Sequence, residues 1–401
     1  MKYNFDEIID RRGTDSVKWD AVSERWKRND LLPLWVADMD FRTPPFIIEA
    51  LRKRMEHEVL GYTFASETWY TSIIAWLQNR YNWSIQRDML TFLPGIVRGL
   101  AFAIHCFTKP GDKVMVMPPV YHPFFLVTQK TKREVVYSPL VLRDGQYEID
   151  FDRFRADVQG CKLLILCSPH NPGGRVWTSA ELALIADICA ESGTLVISDE
   201  IHADLTLPPH VHLPYALVSE KAQQNSLVFM SPSKAFNMPG LASSYCIIEN
   251  EALRHQFQEF MEAGEFSEGH MFAYLSVAEA YSHGTEWLDE VLTYIQENID
   301  FTDTYVRTHI PGISVIRPQA SYLLFLDCRE LGLSHEELVH LFVDGARLAL
   351  NDGAVFGKEG EGFMRLNVGC PRSVLEKALT QLRHAIDHRS MGTFGVEVCI
   401  S

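Results

Sequence analysis

Between Pro94 and Ile248, short apolar runs alternate with stretches of helical character, and this alternation narrows the possible folds more than any other feature of the chain. The runs are VMVM, LLILC, TLVIS, SLVFM and YCII, at 114–117, 163–167, 194–198, 226–230 and 245–248. Apolar runs of this length, bounded by polar or turn-forming residues, predict strands buried in a largely parallel sheet with helices packed against it. Between LLILC and TLVIS, Thr178-Ser179-Ala180-Glu181 is a capping box opening an apolar-periodic helix, LALIADICA. One β-α-β unit is therefore expected there, and the fold class is α/β.

From residue 287 a helical pattern (WLDEVLTYIQENIDF) leads into strands at ISVI and YLLFLD, a helix at HEELVHLFVDGA and a strand around FMRLNV. This predicts a smaller α/β domain over 287–390 beside a large domain over 46–286, as befits a chain of 401 residues. Residues 1–45 show no such alternation. With Pro33, Pro44 and Pro45 they are expected to run extended and to pack on the smaller domain. Residues 391–401 (MGTFGVEVCIS) do not continue a helix and are expected to be a loose tail.

A formal net charge of -15 disfavours nucleic acid or an anionic membrane surface as a partner. The eight cysteines are scattered without a C-x-x-C pair, the pattern of reduced thiols. The opening MKYNFDEIIDRRG is charged and lacks a signal-peptide core, and no apolar run approaches a membrane span. A cytoplasmic location without membrane contact is expected.

The chemistry-bearing residues stand at the ends of the predicted strands. Lys234 follows SLVFM in Ser231-Pro232-Ser233-Lys234, beside two hydroxyls that can hold a phosphate, as a Schiff-base lysine requires. A lysine in that place is otherwise an ordinary surface charge. Asp199 ends TLVIS inside S-D-E-I-H, where a carboxylate at the carboxyl end of a parallel sheet can keep a pyridine nitrogen protonated, or can simply cap the next turn. Asn171, in Pro169-His170-Asn171-Pro172-Gly173-Gly174-Arg175, offers a neutral donor on a rigid turn. Pro94-Gly95-Ile96-Val97 opens an apolar helix whose first amides can hold a phosphate, and Tyr121 can stack on an aromatic ring or fill the core.

Taken in order, these pieces resemble fold-type I enzymes that use pyridoxal 5′-phosphate (PLP), most closely the MalY/PatB-type cystathionine β-lyases within the class I/II aminotransferase superfamily. The resemblance rests on W-V-A-D-M-D-F (35–41), G-Y-T (61–63), P-P-V-Y (118–121), P-H-N-P-x-G-R (169–175), S-D-E-I-H (198–202), S-K-x-F-N (233–237) and G-F-M-R-L-N (362–367), and covers about 10–388. It implies an aspartate-aminotransferase-like fold with PLP on Lys234. It further implies Asp199 at the pyridine nitrogen, Asn171 and His202 near the ring oxygen and Tyr121 stacked on the ring. Ile96, Val97, Ser231 and Ser233 would hold the phosphate, and Tyr62 would do so from the other subunit of a homodimer. Arg365, Asn171 and Asp38 are the implied substrate contacts, with Arg365 on the α-carboxylate. A second phosphate-binding arginine, familiar just beyond the lysine in aminotransferases, is not evident between Met238 and Tyr245.

The implied reaction is β-elimination from L-cystathionine or other cysteine S-conjugates, giving a thiol, pyruvate and ammonia. The alternatives are an aminotransferase and a regulatory protein that binds a transcription factor. Two competing motifs fail. Ser231-x-x-Lys234 lacks the S-D-N and K-T-G partners of an acyl-serine hydrolase. His335 and His340 stand five apart, about 140° round a helix, so no metal site is expected there.

Overall fold

The computed structural model describes residues 1–390; the expected tail at 391–401, with Cys399, lies outside the described residues. Two compact units make up the chain. Of the described residues, the first comprises Met1–Tyr3, Arg42–Leu292 and Pro318–Ser321, and the second comprises Asn4–Phe41, Thr293–Arg317 and 322–390. The breaks thus fall after 41 and 292, where 45 and 286 were expected. Residues 318–321 return to the first unit because their backbone is bonded there: Gln319 and Ala320 donate to the Gly174 carbonyl, and Ser321 donates to that of Leu205.

In the first unit the helices α1 (Pro45–Met55) and α2 (Glu67–Tyr81) precede the sheet. Its strands and the helices used below are β1 (Leu90–Leu93), α3 (Ile96–Phe107), β2 (Lys113–Val116), β3 (Glu134–Tyr137), β4 (Cys161–Cys167), α4 (Ser179–Ser192), β5 (Leu195–Asp199), β6 (Ser226–Met230) and β7 (Ser244–Ile247). The seven strands lie in the order β1-β7-β6-β5-β4-β2-β3. The five from β6 to β3 are mutually parallel, whereas β7 runs antiparallel to both β1 and β6. The YCII run therefore reverses direction: residues 231–243, which link it to β6, hold only a single 3-10 turn at Pro239–Leu241 and no α-helix of the kind that usually carries a parallel crossover. LTFL, which pairs with it, was not among the expected strands.

The predicted capping box opens α4: Thr178 accepts from the Glu181 amide and Glu181 accepts from the Thr178 amide. α3 lays Leu100, Ala103 and Ile104 on the sheet, fully buried against Val114, Leu163 and Phe229. Gly99 permits that approach, since a Cβ there would stand 2.6 Å from Leu93 Cδ1. Truncating any of these large side chains would cost about 2–5 kcal/mol.

The second unit holds a four-stranded antiparallel sheet of β8 (Ser314–Ile316), β9 (Leu323–Asp327), β10 (Asn351–Asp352) and β11 (Phe363–Asn367), in the order β8-β9-β11-β10. The N-terminal segment joins this unit through Leu32–Pro33, which pair parallel with Leu348–Ala349, and it contains a five-residue helix, Val22–Trp26. The expected helix from His335 is α-helical to His340 and then widens into a π turn over Leu341–Gly345. Among the described residues no helix is long and apolar enough to cross a membrane.

Candidate active site

Three adjacent parallel strands of the first unit end together, and their register decides which side chains meet. Cys167 of β4 lies opposite Asp199 of β5, which lies opposite Phe229 of β6. Asn171 comes four residues after Cys167, and Ser231–Lys234 follow Met230, so the carboxyl edge gathers Asn171, Asp199, Ser231, Ser233 and Lys234. Such an edge is where open α/β sheets bind ligands.

Asp199 is buried and accepts the Ile201 amide at 3.1 Å. Burial raises its carboxyl to about 7. The Ile201 amide and the charge of Lys234 pull it back only in part, and Glu200 pushes it further up. The following turn is braced by buried polar contacts: Glu200 takes Ser198 Oγ at 2.9 Å, the Tyr215 amide at 2.8 Å and His212 Nε2 at 2.7 Å. His202 is buried in the same turn.

The two loops that carry Tyr121 and Asn171 are tied together. The Tyr121 amide donates to the Asn171 carbonyl at 3.1 Å, and the Asn171 amide donates to Cys167 Sγ at 3.3 Å. Tyr121 is half-buried and meets Phe124 edge-on.

The hydroxyl cluster beside Lys234 is also buried. Ser231 Oγ donates to the Ser243 carbonyl, lies 2.9 Å from Ser233 Oγ and accepts the Ser233 amide at 3.1 Å. Ser243 itself, a residue that the motifs did not point to, is fully buried, and its hydroxyl has no hydrogen-bond partner among the described residues. Pairing of Ser244 with Leu93 sets Ser243 beside the turn that opens α3 at Ile96. Gly95, at φ 118°, makes that turn, and the first amides of α3, those of Ile96 and Val97 among them, lack intrahelical partners.

PLP fits this set of groups. An orphaned buried hydroxyl beside a helix N-terminus suits a phosphate ester. A carboxyl raised by burial, and only partly offset by Lys234, suits a protonated ring nitrogen. A lysine amine on the same strand edge suits an aldehyde.

Tyr62 stands apart from this cluster, fully exposed on an irregular segment between α1 and α2.

Arg365 and Asp38 lie in the second unit. Arg365, on β11, is buried with its guanidinium 4.8 Å from the Phe356 ring centroid, and its Nη2 donates to the Trp35 carbonyl at 2.9 Å. Asn351, opposite Arg365 in register, donates to the same carbonyl at 2.7 Å. Every carbonyl from Trp35 to Met39 accepts a side-chain donor: Val36 and Asp38 from Asn367, Ala37 from Tyr322, Asp38 also from Lys18, and Met39 from Arg11. The Asp38 carboxylate is gripped by Arg11 at 3.0 and 2.7 Å, and Asp40 by Lys18 at 2.6 Å and Arg11 at 2.7 Å. Sequence reasoning missed Arg11 and Lys18, since charges 22 or 27 residues from their partners in an irregular segment leave no periodic signal.

Arranged this way, the first unit can hold a phosphorylated pyridine aldehyde at a parallel-sheet edge, the arrangement of a fold-type I PLP enzyme. Comparison with known proteins agrees. The family described as "Aminotransferase class I and II" matches residues 29–382. Cystathionine beta-lyase PatB of Bacillus subtilis is 40% identical over 385 residues, 96% of this chain and 100% of that protein. Protein MalY of Escherichia coli is 33% identical over 388 residues, 96% and 99% of the two chains. The crystal structure of the PLP-bound C-S lyase from Staphylococcus hominis superposes with a TM-score of 0.88 at 34% identity, covering 96% of this chain and 98% of that one. The chain belongs to the class I and II aminotransferase family, in the group that holds PatB and MalY.

Proposed function

We propose that the protein is a PLP-dependent carbon–sulfur β-lyase that cleaves L-cystathionine or other cysteine S-conjugates to a thiol, pyruvate and ammonia. The observation that carries this reading is the full-length likeness to PatB, a protein named cystathionine beta-lyase.

When bound, PLP supplies an electron sink for the negative charge that develops at the substrate α-carbon. The remaining roles belong to the chain. Lys234 Nζ binds the cofactor covalently and, once released, takes the α-proton. The Asp199 carboxylate holds the proton on the ring nitrogen, and burial makes that pairing strong. Asn171 donates to the ring oxygen with His202 close by, and Tyr121 packs on the ring face. Ser231, Ser233, the amides of Ile96 and Val97, and Ser243 in place of the missing arginine hold the phosphate. Arg365 grips the substrate α-carboxylate through two parallel hydrogen bonds. As the C–S bond breaks, sulfur leaves with the electron pair and gains a proton. The three-carbon remainder adds water and yields pyruvate and ammonia. For Asp38, whose carboxylate is held by Arg11, the geometry favours fixing the 35–41 segment over touching substrate.

A homodimer is part of the proposal. Val59, Leu60, Tyr62 and Phe64 lie within six residues, and the last two are 106% and 87% exposed. Such a strip calls for a covering surface, and a second copy whose cofactor phosphate receives Tyr62 would supply one. A cytoplasmic location is supported by the seven described cysteines, all unpaired.

Incubation of the holoprotein with L-cystathionine, with and without an added keto acid, tests the reading. Thiol and pyruvate in equal amounts without keto acid are expected. Keto-acid-dependent amino transfer exceeding elimination would make the protein an aminotransferase. An active monomer in sedimentation would exclude the role given to Tyr62.

A further inference from the structure

His170 is buried in the turn that carries Asn171, yet no role above uses it. Its ring lies between Tyr147 and Trp177, with centroids 5.8 and 5.9 Å away. Its main chain is locked on both sides: its amide donates to the Arg175 carbonyl at 2.8 Å, and its carbonyl accepts from Gly174 at 2.8 Å. The ring nitrogens then face two different partners. Nδ1 accepts the Gly173 amide at 3.3 Å, which leaves the ring proton on Nε2, and Nε2 donates to the Pro119 carbonyl at 2.9 Å. Burial lowers the imidazole to about 4, with the nearby Arg175 charge acting in the same direction, so one neutral tautomer persists through the neutral range.

Pro119 stands two residues before Tyr121. The ring of His170 therefore bridges the turn of Asn171 to the loop of Tyr121, alongside the bond from the Tyr121 amide. A single tie between two loops leaves a hinge, whereas two ties at different points fix their relative orientation.

We propose that His170 is a positioning residue, whose ring locks the Tyr121 loop against the Asn171 turn and so sets two contacts of the cofactor ring together. This rests on the reading that Tyr121 and Asn171 touch PLP.

The side-chain amides separate its two bonds. His170→Gln carries an amide nitrogen out to the place of Nε2 and retains the donor to Pro119. His170→Asn carries its oxygen to the place of Nδ1, retains the Gly173 contact and falls short of Pro119. Both lose the ring from between Tyr147 and Trp177, so both should lower the melting temperature, and a merely structural role would rank them by that loss alone. Holoenzymes of both variants are compared by visible circular dichroism of bound PLP, by the PLP dissociation constant and by steady-state kinetics on L-cystathionine, with Tyr121→Ala and Asn171→Ala as references.

The Gln variant should keep the wild-type dichroism and PLP affinity. The Asn variant should lose most of the dichroic signal, weaken PLP by about fivefold or more, the value of one hydrogen bond, and lower kcat with KM little changed. If Asn and Gln behave alike while the reference variants alter dichroism and affinity, the positioning role is overturned and the reading beneath it stands. If the reference variants also leave both unchanged, the proposal and that reading are overturned together.

Discussion

Each unit of the molecule buries an aspartate served by a lysine, and the two pairs are built in opposite ways. In the second unit, burial alone would raise Asp40, but Lys18 at 2.6 Å and Arg11 at 2.7 Å outweigh it and hold the carboxyl below its ordinary value. Trp19 Nε1 adds a third donor at 3.2 Å. In the first unit, Asp199 has the Ile201 amide and a partial share of the Lys234 charge, and it rises to about 7. Lys18 is fully buried, whereas Lys234 is only half-buried. The contrast teaches how one chain separates structure from chemistry. A carboxylate that holds a segment in place is neutralised from within, while the one proposed to meet a cofactor is left short of positive charge in the protein itself.

Exchanging the lysines should break the comparison most visibly. Lys234→Ala is expected to lower kcat/KM on L-cystathionine by about ten-thousandfold or more, since in the proposed mechanism one amine serves as both covalent anchor and base, with little change in melting temperature. Lys18→Ala leaves Arg11, with the neutral Trp19 donor, to hold Asp40 and Asp38, and should cost about 3–5 kcal/mol of stability in urea unfolding. If Lys18→Ala were thermally silent, or Lys234→Ala retained a tenth of the activity, the division of labour would be wrong.

A pH series sharpens it further. The folded value of Asp199 lies above its unfolded value, so the stability that it contributes is complete below about pH 4 and is lost as pH rises through about 7. For the apoprotein this loss amounts to at most about 4 kcal/mol. Asp40 runs the other way: its folded value is depressed, and its contribution is present above the ordinary carboxylate range and lost as pH falls below it. Urea midpoints of the PLP-free protein between pH 4 and 8 should decline with a slope that Asp199→Asn abolishes. Adding PLP should flatten the same slope by bringing a protonated nitrogen to the carboxylate. A slope unaffected by Asp199→Asn would assign the effect elsewhere.

The sequence makes one of these pairs legible and hides the other for a physical reason. Asp199 and Lys234 each follow an apolar run, and a buried parallel strand announces both its own position and the edge where its next polar residue falls. The reversal of β7 was not visible, because strand direction depends on how the loop from Ser231 to Ser243 closes, and YCII reads the same either way. Lys18 and Arg11 belong to a segment whose backbone bonds go to Asn351, Tyr322, Arg365 and Asn367, more than 280 residues away. No local periodicity records such contacts. His170 was in plain view within P-H-N-P-x-G-R, but its part in joining that turn to Pro119 depends on a partner 51 residues upstream.

The smallest expected effect concerns the edge of the structural pair, where the segment held by the ion network is bonded to Arg365, the residue proposed to bind substrate. Arg365 Nη2 is committed to the Trp35 carbonyl, so the 35–41 segment and the guanidinium are oriented as one body, with Phe356 beneath the plane. Arg365→Lys keeps the charge but loses the planar fork, and it should raise KM for cystathionine, cystine and other S-substituted cysteines alike by about 10- to 100-fold, because the α-carboxylate is common to all of them. kcat should change less, since Lys234 and Asp199 are untouched. Arg11→Lys retains a cation near Asp38 and Asp40 while giving up the paired contact at 3.0 and 2.7 Å, so it should reproduce the same uniform KM rise in weaker form, about threefold. A change in KM for one S-conjugate and not the others would mean that the segment recognises the leaving thiol. The clamp would then govern specificity and not the shared carboxylate.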